Sequence, residues 1–116
     1  MAVLNFSAPI LRGKTGQWRA FHAQFEQGAA RRADLEDQMR RYGITRQVVS
    51  LQQPPGGDFV NVFFEGDNPG AVMAGLGDSD VAFDKWFAAR VLEIHGIDVT
   101  QPSPGPMAET ILEISL

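Results

Sequence analysis

The chain holds two histidines, the side chains whose ordinary pKa lies nearest neutrality, and no cysteine. Trp18, Phe21, His22 and Phe25 fall at i, i+3, i+4 and i+7, so His22 shares one helical stripe with three aromatic rings. An imidazole held in such a pocket can act as a general base, which makes His22 the candidate catalytic residue. The competing reading is a core histidine bonded to backbone, because nothing else in the sequence completes a catalytic set. His95 stands just before Gly96 at the end of a second helical stretch, where an imidazole would bond terminal carbonyls and meet the negative end of the dipole. No His-x3-His or His-Glu-x2-His spacing is present, and without cysteine there is no thiolate nucleophile, disulfide or Cys-based zinc site. No metal and no cofactor is expected.

Other motifs carry less. Ala8-Pro9-Ile10-Leu11-Arg12-Gly13-Lys14-Thr15 fits the loose spacing of a phosphate loop. A phosphate cradle needs successive free amides and small residues, whereas Pro9 removes an amide and Ile10, Leu11 and Arg12 are bulky. Lys14 and Thr15 read instead as a loop charge and a helix cap. Trp86 and Arg90 at i, i+4 could stack as a cation–π pair. Arg31-Arg32 and Arg40-Arg41 are interrupted by Asp34, Glu36 and Asp37, the pattern of a solvated, paired face.

The elements that position these residues follow from periodicity. Val3 to Leu11 alternates as a strand. A helical region runs from about Gln17 to Tyr42, with Gly28 as a point of bending or splitting and Gly43 as its stop. Ile44 to Gln53 and Asp58 to Glu65 are strands joined by Pro54-Pro55-Gly56-Gly57, strong turn chemistry for a hairpin. Asn68-Pro69-Gly70 opens a short helical piece that Gly75 and Gly77 end. Asp78-Ser79-Asp80 offers caps for a helix from Val81 to His95, and Gly96 closes it. Pro102, Pro104 and Pro106 make an extended connector, and Met107 to Leu116 is the last strand. The order β-α-β-β-α-β predicts an α+β ferredoxin-like sandwich, an antiparallel sheet with both helices on one face, in a single domain over residues 1–116.

Alternation also sorts the two sheet faces. Leu4, Phe6 and Ile10, with Val60, Val62 and Phe64 and with Leu112, Ile114 and Leu116, form the apolar sets that should face the helices. The opposite face would carry Asn5, Ser7, Phe59, Asn61, Phe63, Glu109, Ile111 and Glu113. Two phenylalanines and an isoleucine facing water make a patch that monomers rarely leave open, so a homodimer packed sheet to sheet is expected. The mixed lining of its interior has the composition of a small-molecule pocket. Trp18, Phe59, Asn61, Phe63, Glu109 and Glu113 are accordingly the candidate ligand-binding residues. On the competing reading, Glu109 and Glu113 only protect an edge strand.

Composition sets the outer limits. Apolar residues make up 44% and charged residues 21%, ordinary for a globular chain. A net charge of −4 disfavours nucleic acid as a partner. No apolar run approaches a membrane span, and no signal peptide is evident at the start, so a cytoplasmic protein is expected.

Several short stretches carry a resemblance. These are Leu11-Arg12-Gly13-Lys14-Thr15 with Trp18-Arg19, Gly43-Ile44-Thr45-Arg46, Leu51-Gln52-Gln53-Pro54, Phe83-Asp84-Lys85-Trp86-Phe87, and Glu93-Ile94-His95-Gly96-Ile97-Asp98 leading to Gln101-Pro102 and Pro104-Gly105-Pro106. Through them the chain resembles the dimeric α+β barrel proteins and, more closely, a bacterial family of uncharacterised domains within that group. The resemblance implies a ferredoxin-like subunit dimerised through its sheet. The wider group includes cofactor-free oxygenases, haem-degrading enzymes and lyases, whose catalytic residues differ from branch to branch, so no residue role transfers. The sequence therefore predicts a protein that binds a small organic molecule, in a cavity between sheet and helices or in the barrel interior. Cofactor-free oxygenation, isomerisation or lyase chemistry suits the fold by analogy. The alternative is a non-enzymatic module for dimerisation or partner docking.

Overall fold

The computed structural model describes residues 1–103 and 105–116. Three strands, β1 (Ala2–Pro9), β2 (Ile44–Gln52) and β3 (Phe59–Gly66), form one antiparallel sheet in the order β1-β3-β2. The register sets Leu4 opposite Phe64, Phe6 opposite Val62 and Ser7 opposite Asn61. β2 slips between Ile44 and Arg46, so Thr45 is an extra residue that bends this strand. The helices are α1 (Thr15–Ala23), α2 (Arg32–Arg41), α3 (Val72–Asp78) and α4 (Ala82–His95), with a 3-10 turn at Pro69–Ala71 leading into α3. Among the described residues no helix is long and apolar enough to cross a membrane.

The alternation read from sequence places the core correctly for β1 and β3. Ala8, Ile10 and Val60 pack against Trp18, Phe21 and Phe25 and against Phe83 and Ile94 of α4. Leu4, Ile44 and Phe64 pack against Val72 and Leu76 of α3. The helices cover one side of the sheet and leave the other open, which is the α+β arrangement expected.

At Gly28 the helical region splits rather than bends: Gly28 takes φ +82° and the chain turns between Gln24 and Arg31, leaving two helices. Three expectations need correction. Gly75 and Gly77 do not end α3 but lie inside it. A Cβ at Gly75 would strike the Tyr42 ring and one at Gly77 the backbone of Val99, so both glycines let neighbours approach closely. Thr15 is not a cap. Lys14 holds that position without a side-chain bond, and the Thr15 hydroxyl donates to Asp58 at 2.6 Å, tying the loop to the β2–β3 hairpin. Lastly, the expected fourth strand does not form. Residues 107–116 make no strand and are exposed, so the sheet has three strands rather than four. A strand needs a hydrogen-bonding neighbour, and the segment pairs with none, leaving the outer edge of β1 free. Pro104 of the connector lies outside the described residues.

Candidate functional site

Between the helix-covered side of the sheet and the helices lies a cavity of about 80 Å³. Phe6, Val62 and Phe64 of the sheet form its floor, and Phe87, Met39 and Met73 are among the side chains closing it. Trp18, His22, Gln38, Tyr42, Gln47 and His95 bring polar atoms to an otherwise apolar lining.

Both histidines reach this cavity. The stripe of α1 turns His22 inward, with its ring centroid 4.5 Å from that of Trp18 and 5.0 Å from that of Phe21. Burial pulls its pKa down from 6.5 to about 4, and the charge of His95 acts in the same direction. Its ring is therefore neutral at pH 7. Among the described residues it makes no hydrogen bond, so the backbone-bonded core histidine of the competing reading is not what the structure shows. The buried Trp18 Nε1–H likewise has no partner among the described residues. His95 ends α4, but its Nδ1 lies 2.7 Å from the carbonyl oxygen of Pro9 on β1 rather than against its own helix terminus. A carbonyl only accepts, so Nδ1 carries the proton of the neutral ring and Nε2 is left as an acceptor. Burial lowers the pKa of His95 as well, and the bond to Pro9 opposes that shift. Gly96 closes the helix in the left-handed conformation at φ +70°, as expected.

Two more polar side chains of the lining, Gln38 and Tyr42, belong to a saturated network. Asp84 on α4 is fully buried. It accepts from Arg41 Nη1 at 2.7 Å and Nη2 at 2.9 Å, from the Tyr42 hydroxyl at 3.0 Å, from Ser79 Oγ at 2.7 Å and from Gln38 Nε2 at 2.9 Å. The Arg41 guanidinium holds its carboxyl well below the usual range. Asp84 is thus a permanent anion that ties α2 and the start of α4 together, not a proton acceptor near neutrality. Sequence reasoning missed it. The available signal was its place on the α4 stripe, three residues before Phe87 and seven before Val91, where a carboxylate has to be paired.

The remaining predicted site residues are elsewhere. Phe59, Asn61 and Phe63 lie on the open side of the sheet, and Glu109 and Glu113 lie on the exposed C-terminal segment. The sheet itself therefore separates Trp18 and His22 from Phe59, Asn61 and Phe63, and the subunit does not gather the candidate residues into one pocket. On the open side, Ser7 Oγ donates to Asn61 Oδ1 at 2.7 Å and Asn61 Nδ2 donates to Gln52 at 2.8 Å, a polar row across all three strands. Elsewhere, Trp86 receives the guanidinium of Arg31 at 4.0 Å, while Arg90 pairs with Glu93 at 2.8 Å, so the expected Trp86–Arg90 stack is replaced.

No family model matches the chain, and no curated protein matches it. Among solved structures it is similar to an L-rhamnose mutarotase from Formosa agariphila, with a TM-score of 0.63 and 13% identity over 98% of this chain and 100% of that one. At that identity the likeness is one of fold. It agrees with the α+β, ferredoxin-like subunit expected from the order of elements.

Proposed function

We propose that the protein is an isomerase acting on a small organic molecule, that His22 is the base that moves the proton, and that two copies join through their open sheet faces. On this reading it is a member of a bacterial branch of the dimeric α+β barrels, as the short stretches in its sequence imply. The observation that carries the enzymatic part is an imidazole that is neutral at pH 7, has no hydrogen bond among the described residues, and shares a cavity with a second imidazole. Isomerisation by proton transfer needs a proton to be taken and then returned, without redox change. The neutral His22 ring can take it on its unprotonated nitrogen and return it from the imidazolium so formed, while His95, its Nδ1–H held by Pro9, offers Nε2 as an acceptor to a substrate hydroxyl, and a wall of aromatic rings excludes water around them. Mutarotation, the activity for which the structurally similar L-rhamnose mutarotase is named, is of this kind.

Size constrains the substrate. Ligand pockets commonly measure about 300–1,000 Å³. The cavity, at about 80 Å³, takes a fragment of a few heavy atoms. A sugar-sized substrate would enter with its reacting end and would require Met39 and Met73 to swing aside, which unbranched side chains do readily. The open sheet face supports the dimer, since Val48 is 40% exposed there and Phe59 and Phe63 are only half-buried.

The test is anomer exchange of aldoses followed by NMR, beginning with L-rhamnose, for the wild type and for His22→Gln. Removing a general base typically costs about 10²–10⁴-fold in rate. A rate equal to the buffer background for the wild type across the aldose series, or an unchanged rate for His22→Gln, would overturn the enzymatic reading. Light scattering across a concentration series tests the dimer separately.

A further inference from the structure

We infer that the Trp18 indole N–H is a specificity-determining donor that receives a carbonyl oxygen of the substrate, and that the cavity selects an uncharged hydroxy-carbonyl compound over a carboxylate or phosphate ester. The inference rests on the cavity proposed above as the active site and adds what that site selects. Trp18 is only 7% exposed, and its Nε1–H has no partner among the described residues. A buried indole N–H ordinarily finds an acceptor, because leaving a buried donor unpaired is destabilising. Filling space does not require that donor. The same stripe continues with Phe21 and Phe25, rings that pack in the same core with no polar atom. The indole is part of the cavity wall, and its centroid lies 4.5 Å from that of His22, so a ligand reaching His22 also reaches Trp18.

Several polar neighbours have already committed their donors. Gln38 and Tyr42 donate to Asp84, and His95 Nδ1–H is held by the carbonyl of Pro9. The Trp18 N–H stays free for an oxygen that accepts, and His95 Nε2 for a hydroxyl that donates. A carbonyl and a hydroxyl on one small molecule supply both.

Charge narrows the class further. No Lys, Arg, Asp or Glu is among the described residues that line the cavity. The Arg41 guanidinium of the adjoining network is spent on Asp84 and Asp37. Its partner Asp84 is an anion behind Gln38 and Tyr42, and it repels a second one. His22 is neutral at pH 7 and lends an anion no charge. Moving an ionised carboxylate or phosphate out of water with no cation to pair it is strongly unfavourable. An uncharged molecule avoids that penalty and still satisfies the orphaned N–H.

The test is NMR titration of the full chain with hydroxyacetone and with L-lactate, a carboxylate of nearly the same size. The chain has two tryptophans, and the signal missing from Trp18→Phe protein identifies the Trp18 indole N–H. Hydroxyacetone should move that signal downfield and saturably, together with the ring signals of His22, while L-lactate at the same concentrations moves neither. Trp18→Phe should bind hydroxyacetone about tenfold more weakly, the effect of one net hydrogen bond. Its uptake of xenon, which needs only apolar space, should be unchanged. If the variant loses xenon too, its cavity has collapsed and the wild-type indole shift decides alone. Hydroxyacetone that moves His22 but not the Trp18 N–H overturns the donor and leaves the active site standing. Lactate bound as tightly as hydroxyacetone overturns the uncharged class. No shift at any cavity residue overturns the inference alone if aldose exchange proceeds, and the enzymatic reading with it if exchange stays at background.

Discussion

On the helix side of the sheet Leu4, Ala8, Val60 and Phe64 are buried, and the fully buried carboxylate beneath the helices has five hydrogen bonds. On the other side Asn5 and Ser7 are exposed, Phe59 and Phe63 are half-covered, and Arg46 rests on an aromatic ring instead of an anion. Both sides belong to the same strands, with residues alternating between them, so the contrast is not one of composition along the chain. It shows what one copy satisfies for itself. The covered side completes its apolar packing and its ionic network within the subunit, and it leaves out the two groups with the chemistry, His22 and the Trp18 N–H. The open side leaves its apolar surface, its cation and its β1 edge unfinished. The covered side should therefore set stability and reactivity, and the open side association.

The largest effect should come from the ionic network on the covered side. Asp84→Ala strands the Arg41 guanidinium and removes the acceptor of Tyr42, Ser79 and Gln38. Breaking a buried pair from one side costs about 3–5 kcal/mol. Urea unfolding should show a loss of that order, close to the whole stability of a small domain. A loss under about 1 kcal/mol, the range of exposed pairs, would mean that apolar packing alone holds α2 against α4.

His22 gives the next effect. Its pKa is lowered from 6.5 to about 4 in the folded protein, so between those values the unfolded chain binds a proton that the folded one does not. Stability then rises with pH across this window, is fully present above about pH 6.5 and is lost as pH falls toward 4. The amount is on the order of 2 kcal/mol, allowing for some screening of a side chain that is not fully covered. Urea midpoints from pH 4 to 7 should slope upward in the wild type and clearly less in His22→Gln, with His95 supplying part of what remains. Equal slopes would show that the cavity does not desolvate His22.

How much of this was legible in the sequence follows from the range of each interaction. β1, the α1 stripe and the hairpin at Pro54–Gly57 were readable because period 2, period 3.6 and turn chemistry are local. The carboxylate beside the α4 stripe was visible but given no role, since its five donors come from α2, from the residue after it and from the loop before α4. The partner of His95 is Pro9, 86 residues away, and no spacing rule reaches that far. Thr15 reads as a cap, and only the folded hairpin brings Asp58 close enough to compete for its hydroxyl. The C-terminal strand is the instructive case. Its alternation is real, yet alternation specifies a face and not a neighbour, and in the subunit the segment pairs with no strand although the outer edge of β1 is free. The candidate site was less legible for a related reason: faces were assigned correctly for β1 and β3, but the candidate lining drew residues from opposite faces, which one subunit does not bring together.

The smallest expected effect is the one that separates the two sides most cleanly. Phe63 stands on the open face, opposite Asn5 in the register and beneath the Arg46 guanidinium. If the subunit alone used this ring, Phe63→Ala would behave as a core truncation and lower the unfolding free energy by about 3–5 kcal/mol. The contrast drawn above requires otherwise. The ring is half-buried and belongs to neither apolar core, so unfolding of the dilute subunit should change little. What should change is association. Losing a central aromatic anchor weakens an interface by more than about 1 kcal/mol, and a tenfold increase in the dimer dissociation constant corresponds to 1.4 kcal/mol. Light scattering over a dilution series reads the second quantity and urea unfolding at low concentration the first. An intact dimer with a destabilised subunit would erase the distinction between the two faces, while a weakened dimer of normally stable subunits would fix it at a single side chain.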